Sequence, residues 1–131
     1  MADTPTSFET FWPHYVRAHL TPRNRVMHAV GTSAGVAMAL AAVLTRRPRL
    51  VPLALVLGYG PAWIGHFFIE GNRPATFGNP LWSLKGDFVM LGKMIAGTMD
   101  DAIAQATADS AAEATADSAA EGPAGTDPSL N

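Results

Sequence analysis

HAVGTSAGVAMALAAVL (28–44), TRRPR (45–49) and LVPLALVLGYGPAWIGHFFI (50–69) follow one another without a break, and their reading decides the fold. The first run carries no charge unless His28 protonates, and as a helix at about 1.5 Å per residue it reaches roughly 25 Å. The second is twenty residues long, a match for a hydrocarbon core of roughly 30 Å. Neither run is amphipathic: apolar residues surround the helix, as in a membrane span or a fully buried helix. A soluble body of about 100 residues has too little interior to bury two such helices all round. The expected fold is therefore all-α, a membrane helical hairpin closed by a five-residue linker.

The flanks fill out this picture. The first run follows WPHY and three arginines, and RRPR stands after it where a small-residue cleavage site would be, so it is expected to stay in the mature protein. Gly31 and Gly35 form a small-xxx-small pair that lets a second helix approach closely, or they are simply glycines tolerated in a membrane helix. SFETFWPHYVRAH (7–19) places Phe8, Phe11, Trp12 and Tyr15 at i, i+3, i+4 and i+7, an aromatic stripe expected to lie at the membrane interface, although Pro13 interrupts it. The Ser7 capping-box spacing is imperfect. FVMLGKMIAGTM (88–99) is short and carries Lys93, which leaves it open as an interfacial helix or a third span whose lysine snorkels.

Charge divides the chain in two. Up to Met99 nine basic residues face four acidic ones, a net +5, whereas from Asp100 onward there are seven acids and no Lys or Arg, a net -7. That tail holds a tandem octad, ATADSAAE at 106–113 and again at 114–121, with no large apolar residue to build a core. Its start can continue a preceding helix. Residues 1–103 read as one membrane domain and 104–131 as a solvated, disordered acidic tail. The overall net charge of -2 argues against a nucleic-acid partner, and the absence of cysteine excludes disulfides and thiolate metal sites. Three arginines sit at the hairpin tip against Arg17, Arg23, Arg25, Arg73, Lys85 and Lys93 on the other side. This asymmetry predicts a multi-pass protein of the cytoplasmic (inner) membrane with both termini in the cytoplasm.

All four histidines lie on the side opposite the tip. His28 and His66 are equidistant from Arg47, so the fold-back puts them at similar depth, and His19 is nine residues upstream of His28. Glu70 is one turn beyond His66 on the same face. Three imidazoles and a carboxylate can thus converge at one membrane boundary, where ionisable side chains are rare and usually paired, hydrated or functional. Such a set suits Fe(II), Mn(II) or a catalytic Zn(II); the plainer alternative is that each histidine is an interfacial hydrogen-bonding residue. His14, within the aromatic stripe, is a weak ligand candidate. In the loop after the second run, Arg73 and Lys85 are candidates to hold a substrate carboxylate, or anchors to lipid phosphate. Asn72 and Asp87 are placed to orient a ligating imidazole. No P-loop, dinucleotide, serine-hydrolase or zincin motif occurs.

Two blocks carry a family resemblance. FWPHYVRAHLTPRNRVMHAVGTS (11–33) contains H-x-x-P-x-N-x-x-x-H, and GYGPAWIGHFFIEGNRPATFGNPLWSLKGDF (58–88) contains G-H-x-x-x-E-x-x-R-P-A. Together they resemble the Mpo1-like (DUF962) family of small membrane proteins. The resemblance implies an Fe(II)-dependent dioxygenase that uses O2 to shorten 2-hydroxy fatty acids by one carbon in a membrane lipid setting. By position it implies His19, His28, His66 and Glu70 as ligands, the same four residues that the hairpin geometry brings together. Asn24, in the first block, is expected beside them. Longer eukaryotic members have further hydrophobic segments and another histidine between the blocks; here only the RRPR turn intervenes, which leaves the site open to lipid or to another subunit in a homo-oligomer. The rival readings are a non-catalytic membrane protein assembling through the Gly31/Gly35 face, and a Zn-dependent membrane hydrolase.

Overall fold

The computed structural model describes residues 5–120, all helical or loop with no strand among them. Helix α1 spans Phe8–Arg17, α2 Pro22–Leu44, α3 Val51–Ile64, α4 Pro80–Ala96 and α5 Met99–Ala120; a π-helical segment, Gly65–Glu70, prolongs α3. Two helical stretches, Pro22–Leu44 and Pro48–Glu70, are long and apolar enough to cross a membrane, and only 28% and 22% of their apolar windows are buried within the protein. Val30, Leu40, Val43, Leu55, Val56 and Phe68 face outward. An outward apolar belt of this kind differs from the buried face of a soluble core helix. Helix α4 is not among the candidate spans.

The turn of the hairpin is a Schellman cap. The Arg47 N–H donates to the Ala42 carbonyl at 2.9 Å and the Arg46 N–H to that of Val43 at 3.1 Å, with Arg46 in the left-handed region at φ 54°. Below the turn, α2 and α3 meet through glycines. A Cβ on Gly31 would stand 2.5 Å from the Gly58 carbonyl oxygen, and one on Gly35 3.0 Å from the Gly58 Cα. The second helix expected to approach the Gly31/Gly35 face is the chain's own α3, which removes the basis for the rival reading of assembly through that face.

Helix α1 differs from expectation on two points. Ser7 caps it in a complete capping box, with Thr10 as the residue that reaches back. Its aromatic stripe, expected at the membrane interface, packs into the protein: Phe11, Tyr15 and Val16 are buried with Met90 of α4 and with Met99, Ala102 and Ala106 of α5, while Phe8 and Trp12 pack at the edge. The reason is α5. The expected boundary at 103/104 falls inside this helix, and residues 104–120 are helical, with Ala106 buried and most others exposed. Small side chains build no core of their own, yet they let α5 lie close against the α1 aromatics. The remainder of the expected tail, 121–131, lies outside the described residues.

Candidate metal centre

His19 follows the C-terminus of α1, His28 stands in the second turn of α2, and His66 lies in the π-helical segment that ends α3. All three are buried, at 0%, 4% and 1% exposure, and one nitrogen of each lies within 4.8 Å of the others. Their rings stand edge to face, with centroids 4.4 to 4.9 Å apart. His14 is elsewhere, with its Nδ1 2.6 Å from the Arg17 guanidinium on the exposed side of α1.

The outer nitrogens determine what the inner ones can do. His19 Nδ1 is 2.6 Å from the Tyr15 carbonyl oxygen and His28 Nδ1 is 2.9 Å from Asp87 Oδ1. Both partners can only accept, so each Nδ1 carries the hydrogen. Asn72 donates its Nδ2 to the Ala18 carbonyl at 3.0 Å, which turns its Oδ1 toward His66 Nδ1 at 2.6 Å. All three imidazoles are thereby held as Nδ1–H tautomers, each with its Nε2 lone pair free. His19 Nε2 and His28 Nε2 then lie 3.1 Å apart, acceptor against acceptor. Two imidazole nitrogens about 2.0–2.1 Å from a shared ion at near right angles would be separated by about 3 Å, so the His19–His28 pair is spaced for one ion, and His66, within 4.8 Å, completes a group that could hold it. Burial holds the His19 pKa well below its ordinary value, with His28, His66 and Arg25 adding repulsion that outweighs the Tyr15 carbonyl. A neutral imidazole is the ligating form.

Neighbouring residues set this arrangement. The Tyr15 hydroxyl donates to the same Asp87 oxygen that His28 uses, and its ring stacks on His19 at 4.1 Å. Burial raises the Tyr15 pKa well above the ordinary value, and the Asp87 charge raises it further, so the hydroxyl stays a donor. Gly86 lets the Tyr15 ring lie on α4, because a Cβ there would come within 2.8 Å of it. Arg25 is buried, and its guanidinium donates to the carbonyls of His19 at 2.9 Å and Leu20 at 2.6 Å. Gly71, at φ 74°, ends the π-helical segment and brings the Asn72 N–H to the His66 carbonyl at 3.0 Å.

The remaining expected residues have other surroundings. Glu70 does not join the histidines; its carboxylate accepts from the backbone N–H groups of Leu20 and Thr21 at 3.1 to 3.2 Å and so ties down the segment after His19. The π-helical turn is wider than an α-turn, which alters the i, i+4 register expected between His66 and Glu70. Asn24 is fully buried with both amide atoms unpartnered, packed against Gly65 so closely that a Cβ there would overlap it. An unpaired buried polar group costs about 1–3 kcal/mol, in keeping with a site that receives a further polar group. Arg73 is exposed and lies over the Phe77 ring at 5.6 Å. Lys85 lies over Phe8 at 4.1 Å, at the end of α1 far from His19. Sequence reasoning missed Tyr15, whose signal was its position four residues before His19, and it counted Arg25 as an anchor at the membrane edge.

A helical hairpin long and apolar enough to cross a membrane closes over three buried imidazoles that form a candidate metal centre. The chain belongs to the Mpo1-like family, whose model, described as 2-hydroxy-palmitic acid dioxygenase Mpo1-like, matches residues 5–99. No curated protein and no solved structure matches it.

Proposed function

We propose that this protein is an Fe(II)-dependent membrane dioxygenase that shortens 2-hydroxy fatty acids by one carbon. The observation that carries the reading is the convergence of three buried histidines, each with its Nδ1 against an acceptor oxygen, together with the family description. His19, His28 and His66 would hold the ion, leaving coordination positions for substrate and O2; bound iron would supply the redox chemistry that loses C1. Asp87, Asn72 and the Tyr15 carbonyl keep the imidazoles in their ligating tautomers. Glu70 and Arg25 hold the His19–Thr21 segment in place. Asn24, with two unpartnered amide atoms, would hydrogen-bond the substrate head group, and Arg73, one residue beyond Asn72, would meet its carboxylate. Lys85, on α4, meets Phe8 at the start of α1, too far from His19 for that task.

The proposed location is the cytoplasmic membrane with both termini in the cytoplasm, on the strength of the exposed RRPR tip and the basic residues on the other side. Burial of Arg25 removes one charge from that comparison. Because the chain has no cysteine, single cysteines at Thr6 and Thr45 labelled with an impermeant maleimide would report the orientation.

Anaerobic loading of purified protein with Fe(II), followed by 2-hydroxypalmitic acid and O2, tests the function. Stoichiometric iron, oxygen uptake and a product one carbon shorter are expected, all lost in His66→Ala. Absence of stoichiometric iron in the wild type, with His66→Ala indistinguishable from it, would overturn the reading. Three imidazoles also match a catalytic zinc site, and zinc retention with oxygen-independent turnover would point to a hydrolase.

A further inference from the structure

The hairpin tip gathers cations that nothing in the protein neutralises. Arg46, Arg47 and Arg49 are all exposed, and from Val26 to Ile69 the chain has no Asp or Glu. Among the described residues no carboxylate lies within ion-pairing distance of the three. Arg46 also holds a backbone conformation that suits it poorly. At φ 54° it fills the left-handed position of the Schellman cap, which helices usually give to glycine. Strained backbone of this kind clusters where a side chain has a task, and the group that glycine would lack here is the guanidinium.

The surroundings of Arg46 indicate that task. An open hollow of about 280 Å³ lies under the turn, lined by Ala42, Val43, Arg46, Pro48 and Val51. Arg46 is its one charged residue, and the rest of the lining is apolar. Val43 and Leu44 are 73% and 81% exposed, so apolar surface continues to within a turn of the guanidiniums. Thr45, between them, spends its hydroxyl on the Ala41 carbonyl at 2.6 Å. The hollow is remote from the histidines: α2 runs sixteen residues from His28 to Leu44, about 24 Å.

We propose that this hollow binds one anionic phospholipid, its phosphate on the Arg46 guanidinium and its acyl chains along Val43 and Val51. Arginine meets phosphate through paired N–H donors, and basic pockets at the ends of membrane helices take acidic headgroups. The net negative charge follows from the missing acids: the ammonium of a zwitterionic headgroup finds no carboxylate between residues 26 and 69. A soluble anion would satisfy the arginine and leave the apolar half of the hollow uncovered. A second copy would bring three more arginines to the tip. The site goes beyond the oxidative reading and does not depend on it; it rests on the hairpin crossing a membrane.

The test is electron paramagnetic resonance on full-length protein in phosphatidylcholine vesicles, with chain-spin-labelled phosphatidylglycerol or phosphatidylcholine as the probe. The wild type is expected to immobilise phosphatidylglycerol severalfold over phosphatidylcholine. Arg46→Gly keeps the turn, because glycine adopts this φ freely, and is expected to lower that preference by about fivefold or more, given the worth of one arginine at a charged surface. Arg49→Gln, outside the hollow, is expected to lower it clearly less. An equal fall in the two variants marks diffuse attraction to the tip and would overturn the site. So would displacement of the label by inorganic phosphate at constant ionic strength, or disulfide trapping of two copies through Thr45→Cys. If both probes are immobilised equally, the hairpin is in the bilayer and the site alone fails. If neither is immobilised, the membrane reading fails and the site with it.

Discussion

At the scale of single residues, the contacts outside the imidazoles matter as much as the imidazoles. Asn72 bridges His66 and the Ala18 carbonyl, so Asn72→Ala frees one ligand and removes a tie to the α1 end. Loss of such an orienting partner lowers metal affinity by about 10–100-fold, to be read by competitive metal titration in detergent. His19 sets a pH dependence. Its folded-state pKa lies well below the ordinary 6.5, so the unfolded chain takes up this proton at higher pH than the folded protein does. Stability is therefore greatest above about 6.5 and falls as the pH drops below it. Thermal melts of the metal-free protein should show a lower midpoint at mildly acid pH than at neutral pH, with His19→Ala flattening the difference. A midpoint that rises on acidification would contradict the burial of a neutral His19.

At the scale of elements, the hairpin joins through two backbone features. Gly31 lies against the Gly58 carbonyl, so Gly31→Leu pushes α2 from α3 and is expected to destabilise by about 1–3 kcal/mol or more. Unfolding in mixed detergent measures this, and an unchanged transition would mean that the helices do not cross there. Arg46 holds the left-handed position of the Schellman cap, a conformation costing a non-glycine residue about 1–2 kcal/mol. Arg46→Gly relieves that strain at some expense in backbone entropy, and the net expectation in the same assay is a gain of up to about 1 kcal/mol. The apolar runs made the hairpin legible, because length and all-round hydrophobicity are linear properties of sequence. The π-helical turn was not legible: Gly65–Glu70 carries no local signal to distinguish it from an α-helical continuation, and Asn24 packed on Gly65 is a long-range contact.

At the scale of the whole molecule, α5, which runs on from the last residue of the matched region 5–99, completes the core around α1. Met99, Ala102 and Ala106 cover Phe11, Tyr15 and Met90, and Tyr15 in turn holds His19 and Asp87. Ending the chain after Thr98 uncovers α1 and is expected to remove about 2 kcal/mol or more of stability, given the area that one buried methionine represents. Metal affinity should fall with it, because the same helix positions His19. Unchanged metal binding in the shortened chain would show that α1 holds its place without α5. An alanine-rich acidic octad reads as solvated when taken alone, since burying it depends on an aromatic partner about ninety residues away in sequence.

The sequence by itself determined the two apolar runs, their close fold-back and the level at which His28 and His66 meet, because these follow from length, hydropathy and distance from the tip. Only the tertiary structure decided which nitrogen of each imidazole faces inward, since that depends on Asp87, Asn72 and the Tyr15 carbonyl arriving from three separate elements. It also decided that Glu70 ties down the His19–Thr21 segment and that Gly31 and Gly35 serve the chain's own hairpin. Those outcomes are set by packing between segments distant in sequence: the spacing marked Asn72 and Asp87 as candidates to orient an imidazole, but not which histidine or which nitrogen each one meets.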